Sequence, residues 1–259
     1  MNFPFYKYQG TGNDFIMIDD RNHLFPRENQ LLIAQLCDRR LGIGADGLIL
    51  LDNHATEDFT MIYYNADGHL GSFCGNGGRC VVAFAKFLGL IQSHTQFVAA
   101  DGLHRAQIIG DRVSLHMNEV AQWTVEEDFV FMNTGSPHHV VFVEDVSKVD
   151  VAHEGAVIAH NDFYGEAGTN VNFVSSIDES HIAVRTFERG VEAETLSCGT
   201  GVTASAMAVF LVHKTSQTHI EVQTRGGLLE VEFQPEDQRF TQIVLHGPTQ
   251  RVFSGTISL

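Results

Sequence analysis

The sequence predicts an α/β (α+β) protein made of two pseudo-symmetric repeats, each a strand-rich, barrel-like sheet around one central helix. A Cys-Gly motif occurs twice, at Cys74-Gly75-Asn76-Gly77-Gly78 and at Cys198-Gly199-Thr200-Gly201, and each copy precedes a long apolar run. Other glycine landmarks also recur about 124 positions later, close to half of the 259-residue chain. An internal duplication explains both observations, and twofold symmetry would place the active site in the cleft between the repeats.

The first repeat is predicted over residues 1–118. Its helix candidate Glu28–Arg40 has apolar residues at helical spacing, and the apolar run Cys80–Leu88 is predicted to be the buried central helix. Glycine turns separate the strand candidates. The predicted strands are Phe3–Tyr8, Phe15–Asp19, Leu48–Leu51, Phe59–Tyr64, Thr95–Ala99 and Val113–Met117.

The second repeat is predicted over residues 119–247 in the same order, with Val202–Val212 as its central helix. The predicted strands are His139–Val143, Val171–Ser175, His181–Phe187, Ile220–Gln223 and Leu228–Phe233. The final segment Arg251–Leu259 has no counterpart in the other repeat. It is predicted to return to the first repeat as a strand, so residues 248–259 are assigned there.

The composition limits the classes of partner. The chain is 44% hydrophobic and 19% charged, as expected for a globular protein with a full core. Its formal net charge of −16 disfavours nucleic acid and anionic membrane surfaces as partners. The sequence has no apolar run of the about 18 residues that a spanning helix needs, and no signal-peptide pattern at its start. Four irregularly spaced cysteines favour a reducing, cytoplasmic compartment over a disulfide scaffold.

Cys74 and Cys198 are the candidate reactive groups. A cysteine at a helix N-terminus lies where unpaired N–H groups and the helix dipole stabilise a thiolate. Twofold symmetry would bring the two thiols face to face, with a carboxylate docked on the uncovered N–H groups of the glycines. One thiolate could remove the proton of the adjacent α-carbon while the opposite thiol returns one, which inverts that carbon without a cofactor. A redox disulfide is the alternative use of the same pair.

Two other kinds of site are disfavoured. The spacing of Cys74 and Cys80 does not suit zinc, and no paired Cys or His follows at finger spacing. The glycine cluster Gly42–Gly47 lacks the Lys-Ser/Thr ending of a phosphate-binding loop.

The motifs of both repeats resemble the diaminopimelate epimerase family, over nearly the whole chain. The matching pieces are Gly12-Asn13-Asp14-Phe15, Gly42-Ile43-Gly44-Ala45-Asp46, Asn65-Ala66-Asp67-Gly68, Cys74–Cys80, Phe187-Glu188-Arg189-Gly190, and Glu194-Thr195 with Cys198–Gly201. The resemblance implies epimerisation of LL-2,6-diaminopimelate to the meso form, in lysine and peptidoglycan precursor biosynthesis. It also implies a cytoplasmic homodimer that uses neither pyridoxal phosphate nor a metal ion.

The resemblance assigns roles to single residues. Cys74 and Cys198 match the catalytic bases, and His138 and Glu188 match residues that tune the cysteine pKa values. The positions that match the substrate-binding set are Asn13, Asn65, Gly75, Asn76, Asn170, Glu188, Arg189, Gly199 and Thr200. Arg189 suits the distal carboxylate of diaminopimelate, since a guanidinium can bind a carboxylate bidentately.

Three positions depart from the family pattern. Ser136 stands where many members have Asn, Gly47 where some have Gln, and Phe253 where a dimer-interface tyrosine is expected. These departures bear on recognition of the distal amino-acid group and on the dimer contact, and they do not touch the two cysteines.

Two alternative functions remain open at this point. A related cofactor-independent racemase would act on another amino acid, such as histidine or proline. Asn76 after the first Cys-Gly pair and the Glu188-Arg189 pair argue against that substrate class. A redox-sensing binding protein with the same fold would exchange no α-proton.

Overall fold

The computed structural model describes residues Asn2–Ser258 and divides into two compact units. Unit 1 comprises the chain up to Leu115 together with the segment from Gly247 onward, and unit 2 is His116–His246. Leu259, which belongs to the predicted last strand, lies outside the described residues, as does Met1.

Unit 1 is a mostly antiparallel sheet with two helices. Its strands are β1 (Asn2–Gly10), β2 (Asn13–Asp19), β3 (Gly47–Asp52), β4 (Phe59–Asn65), β5 (His94–Ala99), β6 (Gly102–Ile109) and β7 (Arg112–His116). Its helices are α1 (Gln30–Cys37) and α2 (Gly75–Phe87).

Unit 2 also combines a sheet with two α-helices. Its strands are β8 (Trp123–Val125), β9 (Phe129–Asn133), β10 (Pro137–Phe142), β11 (Asn170–Ser176), β12 (His181–Glu188), β13 (Ala193–Thr195), β14 (His219–Thr224), β15 (Gly227–Glu236) and β16 (Arg239–Pro248). Its helices are α3 (Val151–Ala159) and α4 (Gly199–Leu211), with short 3-10 turns at Val146–Lys148 and Asp162–Ala167.

The strand pairings of the two units follow one pattern. In unit 1, the pairs from β1–β2 to β6–β7 run antiparallel, parallel, antiparallel, parallel, antiparallel and antiparallel. In unit 2, the pairs that begin at β9–β10 and end at β15–β16 run in the same six directions. This agreement confirms the predicted pair of repeats. The last strand, β17 (Gln250–Ser258), pairs antiparallel with β1 of unit 1.

One central helix fills the core of each unit. Helix α2 contacts β1, β2, β3, β4 and β6, and helix α4 contacts β9, β10, β11, β12, β14 and β15. Helix α4 has buried residues on every side, as expected of a helix that is apolar all round. No helix described between Asn2 and Ser258 has the length and apolar character needed to cross a bilayer.

The central helices begin earlier than predicted. Helix α2 starts at Gly75 instead of Cys80, and α4 starts at Gly199 instead of Val202. Glycine has a low helix propensity, so the prediction left the glycines of both motifs outside the helices. In the structure, close packing requires glycine within the first turn of α4, because a Cβ at Gly201 would lie only 2.2 Å from the Oδ1 atom of Asn172.

Other predictions were wrong at helix ends or incomplete. Helix α1 is shorter than the predicted Glu28–Arg40. The Asn29 side chain caps its start by accepting from the Leu32 N–H at 3.1 Å, and the helix ends at Cys37. The elements that the sequence analysis did not predict are α3, β6, β8, β9, β13 and β16.

Candidate active site

Both candidate cysteines are N-cap residues of the central helices. Cys74 precedes α2 with φ −115° and ψ 117°, and Cys198 precedes α4 with φ −122° and ψ 112°. Neither side chain makes a capping hydrogen bond to its helix. Gly75 and Gly199, the first residues of the two helices, are buried. Cys74 is half-buried, whereas Cys198 is only 8% exposed.

An oriented amide stands beside Cys74. The Oδ1 atom of Asn13 lies 3.6 Å from the Cys74 Sγ atom and accepts a hydrogen bond from Asn76 Nδ2 at 3.2 Å. The other end of the same amide, Nδ2, donates to Asp46 Oδ2 at 2.7 Å. The structure therefore brings together three predicted site residues of unit 1, and Asp46 sets which end of the amide faces the sulfur.

Charged residues support that amide. Arg39 Nη2 lies 2.7 Å from both Asp46 Oδ1 and Asp14 Oδ1, and Lys7 Nζ lies 2.7 Å from Asp14 Oδ2. Burial would raise the pKa of Asp14, but the hydrogen bonds and charges of Arg39 and Lys7 outweigh burial and bring it to about 2. The polar groups behind Cys74 thus form an ionic network.

Arg79 of α2 is a buried cation in the same unit. Its side chain is 0% exposed, and its Nη2 atom donates to Thr11 Oγ1 at 3.2 Å. Within residues 2–258, its Nε and Nη1 atoms have no hydrogen-bond partner. Burial lowers the pKa of Arg79 to about 10, while the thiols of Cys80 and Cys74 act in the opposite direction. Arg79 lies in the family motif Cys74–Cys80, from which no role was predicted for it.

His138 reaches Cys198 through Thr200. The Sγ atom of Cys198 lies 3.4 Å from Thr200 Oγ1, which lies 2.8 Å from His138 Nε2. His138 is 0% exposed, and burial, helped by the charge of Arg189, lowers its pKa to about 3. The imidazole is therefore neutral at physiological pH and cannot supply a positive charge to a thiolate.

Two buried residues behind His138 escaped the sequence analysis. Asn172 Nδ2 lies 3.0 Å from His138 Nδ1, and Thr186 Oγ1 donates to Asn172 Oδ1 at 2.9 Å. Comparison of the two repeats could have indicated them. The pair Asn172 and Thr186 in unit 2 corresponds to the pair Ile49 and Tyr63 in unit 1. A polar residue at a buried strand position that is apolar in the other repeat calls for a specific reason.

The remaining predicted residues of unit 2 lie at the ends of two paired strands. Asn170 opens β11, and its Oδ1 atom accepts from the backbone N–H of Arg189 at 3.1 Å. The guanidinium of Arg189 donates from Nη1 to the Ala167 carbonyl at 2.9 Å. Glu188 closes β12, and its Oε1 atom accepts from Thr195 Oγ1 at 2.6 Å. Asn170, Glu188 and Arg189 thus form one polar group.

Asn65 and Gly47 face each other across β4 and β3 in unit 1. Asn65 closes β4 and is exposed, at the repeat position equivalent to Glu188. A Cβ at Gly47 would lie 2.5 Å from the Tyr63 ring, so the glutamine of some family members could not stand here without displacing it.

The two other departures lie in separate places. Ser136 is half-buried in the turn before β10, and its carbonyl accepts from the Thr134 N–H at 3.1 Å. Phe253 lies on β17, is 47% exposed and contacts the Phe5 ring edge-on at 5.9 Å. Among residues 2–258, no group of three or more His, Cys, Asp or Glu side chains is arranged to hold a metal ion.

The fold occurs in solved structures of distant sequence. A phenazine biosynthesis protein of the PhzF family from Bacillus anthracis superposes with a TM-score of 0.79 at 14% identity, covering 100% of both chains. A hydroxyproline epimerase from Agrobacterium vitis superposes with a TM-score of 0.73 at 14% identity, covering 100% of this chain and 93% of that one. These likenesses establish the two-repeat fold.

Sequence comparison is more specific. A profile of the diaminopimelate epimerase family matches residues 5–123 and 130–252. The diaminopimelate epimerase of Flavobacterium psychrophilum is 54% identical over 253 residues, covering 97% of this chain and 99% of that protein. The enzymes of the same name from Chlorobaculum tepidum and Aquifex aeolicus are 41% and 39% identical, each with at least 96% of both chains covered. The chain belongs to the diaminopimelate epimerase family.

Proposed function

We propose that this protein converts LL-2,6-diaminopimelate to meso-diaminopimelate by inverting one α-carbon. One observation carries the proposal: each repeat places a cysteine at the N-cap of its central helix, with a polar network behind it. Family membership supports the choice of substrate, and the two cysteines support the proposed chemistry.

The reaction needs a base and an acid on opposite faces of the α-carbon. The substrate carboxylate docks on first-turn N–H groups of the central helices, which carry a partial positive charge. One cysteine thiolate takes the α-proton, and the electron pair of the broken C–H bond delocalises into the carboxylate. The thiol of the other cysteine then gives its proton to the opposite face, so one thiol and one thiolate exchange roles in each turnover. The N–H groups stabilise the negative charge that builds up on the carboxylate.

The distal amino-acid group of the substrate has its own set of partners in this proposal. Arg189 binds the distal carboxylate bidentately, and Glu188 accepts from the distal ammonium group. Asn13, Asn65 and Asn170 provide amide donors and acceptors. Such a set has no use in a proline or histidine racemase, whose substrates lack a second amino-acid end.

The setting of the reaction follows from its chemistry. Two catalytic thiols require a reducing compartment, which places the reaction in the cytoplasm as a step towards lysine and peptidoglycan precursors. The two thiols complete the proton transfers, so we propose no pyridoxal phosphate and no metal ion. We also propose a homodimer that buries β17, because Val252 and Phe253 on this strand are 52% and 47% exposed.

Incubation with LL-diaminopimelate in D2O under reducing conditions tests the function. We expect meso product that carries deuterium at the inverted α-carbon, measured by NMR and mass spectrometry. L-Histidine and L-proline serve as parallel substrates, and we expect no exchange in either. Absence of deuterium uptake from all three substrates would contradict the epimerase and favour a redox-sensing binding protein, whereas uptake only from histidine or proline would favour a racemase.

A further inference from the structure

Cys198 stands at the end of a buried chain of neutral side chains within unit 2. The chain runs from Cys198 through Thr200 and His138 to Asn172 and Thr186. Its four polar members behind the sulfur are at most 6% exposed. Burial of this many polar groups is tolerated only when their hydrogen bonds are satisfied, so the direction of each bond can be derived.

The direction is set at Asn172. Its Nδ2 atom is a donor only, and it also lies 3.5 Å from the His139 carbonyl oxygen. A carbonyl can only accept, so it orients the amide with Nδ2 towards itself and His138, and the Thr186 hydroxyl then donates to Oδ1 at 2.9 Å. His138 Nδ1 must therefore accept, and the single proton of the neutral imidazole is on Nε2.

This tautomer determines what the Thr200 hydroxyl does. The Nε2–H group of His138 donates to Thr200 Oγ1 at 2.8 Å, so the oxygen is used as an acceptor on that side. The hydroxyl proton of Thr200 is then available to the Cys198 Sγ atom at 3.4 Å. A hydrogen bond donated to a sulfur stabilises the thiolate more than the thiol, because the bond to the charged form is stronger.

The fold does not require this polar chain, as unit 1 demonstrates. In the same pairing register, β3 and β4 pair Ile49 with Tyr63 where β11 and β12 pair Asn172 with Thr186. Phe15 occupies the position of His138, and its ring contacts that of Tyr63 at 5.9 Å. Ile49 and the rings of Phe15 and Tyr63 therefore occupy these positions in unit 1, so the fold itself does not require the imidazole, amide and hydroxyl that occupy them in unit 2.

We propose that Asn172 is a positioning residue for Cys198: it holds His138 in the Nε2–H tautomer, and His138 in turn directs the Thr200 hydroxyl proton to the sulfur. The inference rests on the proposed function in so far as Cys198 is a catalytic base. Asn172 itself touches neither the sulfur nor the substrate in this proposal.

The tautomer is tested by ¹⁵N NMR of protein labelled at histidine, with His138 assigned by its disappearance in His138→Gln. We expect a proton on Nε2 and none on Nδ1 in the unmodified protein. In Asn172→Asp a carboxylate can only accept, so Nδ1 gains a proton. Thr186→Val is the matched control, because the His139 carbonyl still orients the amide and the Nε2–H tautomer persists. An Nδ1–H tautomer in the unmodified protein would overturn the proposal.

The effect on the sulfur is tested by the pH dependence of alkylation with iodoacetamide, followed separately for the Cys198 and Cys74 peptides by mass spectrometry. We expect the Cys198 midpoint to rise by about one pH unit in Asn172→Leu and Thr200→Val, as loss of a hydrogen bond to a charged group predicts. Thr200→Ser retains the hydroxyl and restores the midpoint, and the Cys74 midpoint stays unchanged. If Asn172→Leu does not fold, the comparison of Thr200→Val with Thr200→Ser still tests whether the hydroxyl lowers the Cys198 midpoint.

No substrate is present in either experiment, so their outcome is independent of the D2O assay. An unchanged Cys198 midpoint in Thr200→Val would overturn the inference even if the protein is an active epimerase. A shifted midpoint in a protein that exchanges no α-proton would leave the inference standing and contradict the proposed function.

Discussion

Cys74 and Cys198 share one backbone setting but have different polar surroundings. Beside Cys74, an amide oxygen of Asn13 faces the sulfur and is held by Asp46, a member of an ionic network. Beside Cys198, the hydroxyl of Thr200 faces the sulfur and is held by the neutral His138. The duplicated fold has kept the helix N-terminus in both repeats and has changed the groups behind it. Two equivalent thiols can therefore prefer different protonation states.

Replacement of either cysteine is the largest expected change. Cys74→Ala and Cys198→Ala should each lower the rate of meso-diaminopimelate formation by about a thousandfold, because each removes the proton transfer on one face. Deuterium exchange sharpens the comparison: each variant should still exchange the α-proton of one stereoisomer only, and the preferred stereoisomer should be opposite in the two. Cys80→Ala is the control, since burial raises the pKa of the Cys80 thiol to about 12 and the thiol stays neutral. Retention of more than a tenth of the rate in both variants would contradict two-base catalysis.

The sequence was most informative where a residue type is required by geometry. The recurring Cys-Gly motifs located both central helices, and the unmatched C-terminal segment was predicted to be a strand where the structure has β17. Helix α3 was missed because it is short and contains Gly155, which favours a turn in isolation. Its stability comes from packing, since a Cβ at Gly155 would lie 2.4 Å from the Cβ of Phe187.

The polar residues behind the cysteines were harder to predict. Asn172 stands in a buried strand, and its proposed role depends on a hydrogen bond to His138, a residue 34 positions away. Asp46 likewise acts on Asn13 across 33 positions. Single-sequence patterns report which face of a strand is buried, but they do not report which side chains meet. The comparison of one repeat with the other supplies part of that information, because it reveals where Asn172 replaces an apolar residue.

The next largest expected effect is on stability, and it differs between the equivalent glycines Gly201 and Gly77. A Cβ at Gly201 would lie 2.2 Å from Asn172 Oδ1, inside the hydrogen-bonded chain, whereas a Cβ at Gly77 would lie 2.9 Å from the flexible end of Ile49. Alanine gains about 1 kcal/mol of helix propensity in both places, and overpacking costs about 1–3 kcal/mol. Gly201→Ala should lower the free energy of unfolding by about 2 kcal/mol and Gly77→Ala by less than about 1 kcal/mol, measured by urea denaturation. Equal losses would indicate that both helices repack equally easily.

Acidification should weaken the hydrogen-bonded chain of unit 2 at a higher pH than the ionic network of unit 1. The pKa of His138 falls from its ordinary value of about 6.5 to about 3 in the folded protein. Between these values the unfolded chain binds more protons, so stability that is complete above pH 6.5 is lost as the pH decreases, by about 1.4 kcal/mol per pH unit. His138 should contribute about 2 kcal/mol to the loss at pH 5. Burial also lowers the pKa of His139 to about 4, so His138→Gln should reduce the loss by about 2 kcal/mol and leave the His139 contribution, measured by urea denaturation at several pH values.

The ionic network of unit 1 provides the internal control. With a folded pKa of about 2 for Asp14, its contribution is present above the ordinary pKa of about 3.9 and is lost only as the pH falls below that value. Hydrogen exchange should therefore show weakened protection of β10 and β11 at pH 5 while β2 and β3 keep theirs. An identical pH slope in His138→Gln and the unmodified protein would contradict this assignment.

Arg79 is the sharpest charge difference between the two central helices, because its repeat counterpart in α4 is Thr203, whose hydroxyl donates to the Gly199 carbonyl at 2.9 Å. Within the described residues, the buried guanidinium has one hydrogen bond and no carboxylate at ion-pair distance. A buried charge with so little compensation lowers stability, and its replacement by an apolar side chain of similar length is often neutral or stabilising. A function in charge stabilisation would explain why it is retained, since the thiolate of Cys74 and the substrate carboxylate are both anionic.

Arg79→Met should therefore leave the melting temperature unchanged or raise it, while lowering kcat about tenfold, which corresponds to about 1.4 kcal/mol of lost charge stabilisation. Thr203→Val in α4 is the matched control: it removes a local hydrogen bond and no charge, so kcat should stay near that of the unmodified enzyme. A fall in melting temperature with kcat intact would show that Arg79 is a structural residue. A fall in kcat without loss of stability would mean that Arg79 stabilises negative charge beside Cys74, a contribution that Thr203 does not make beside Cys198.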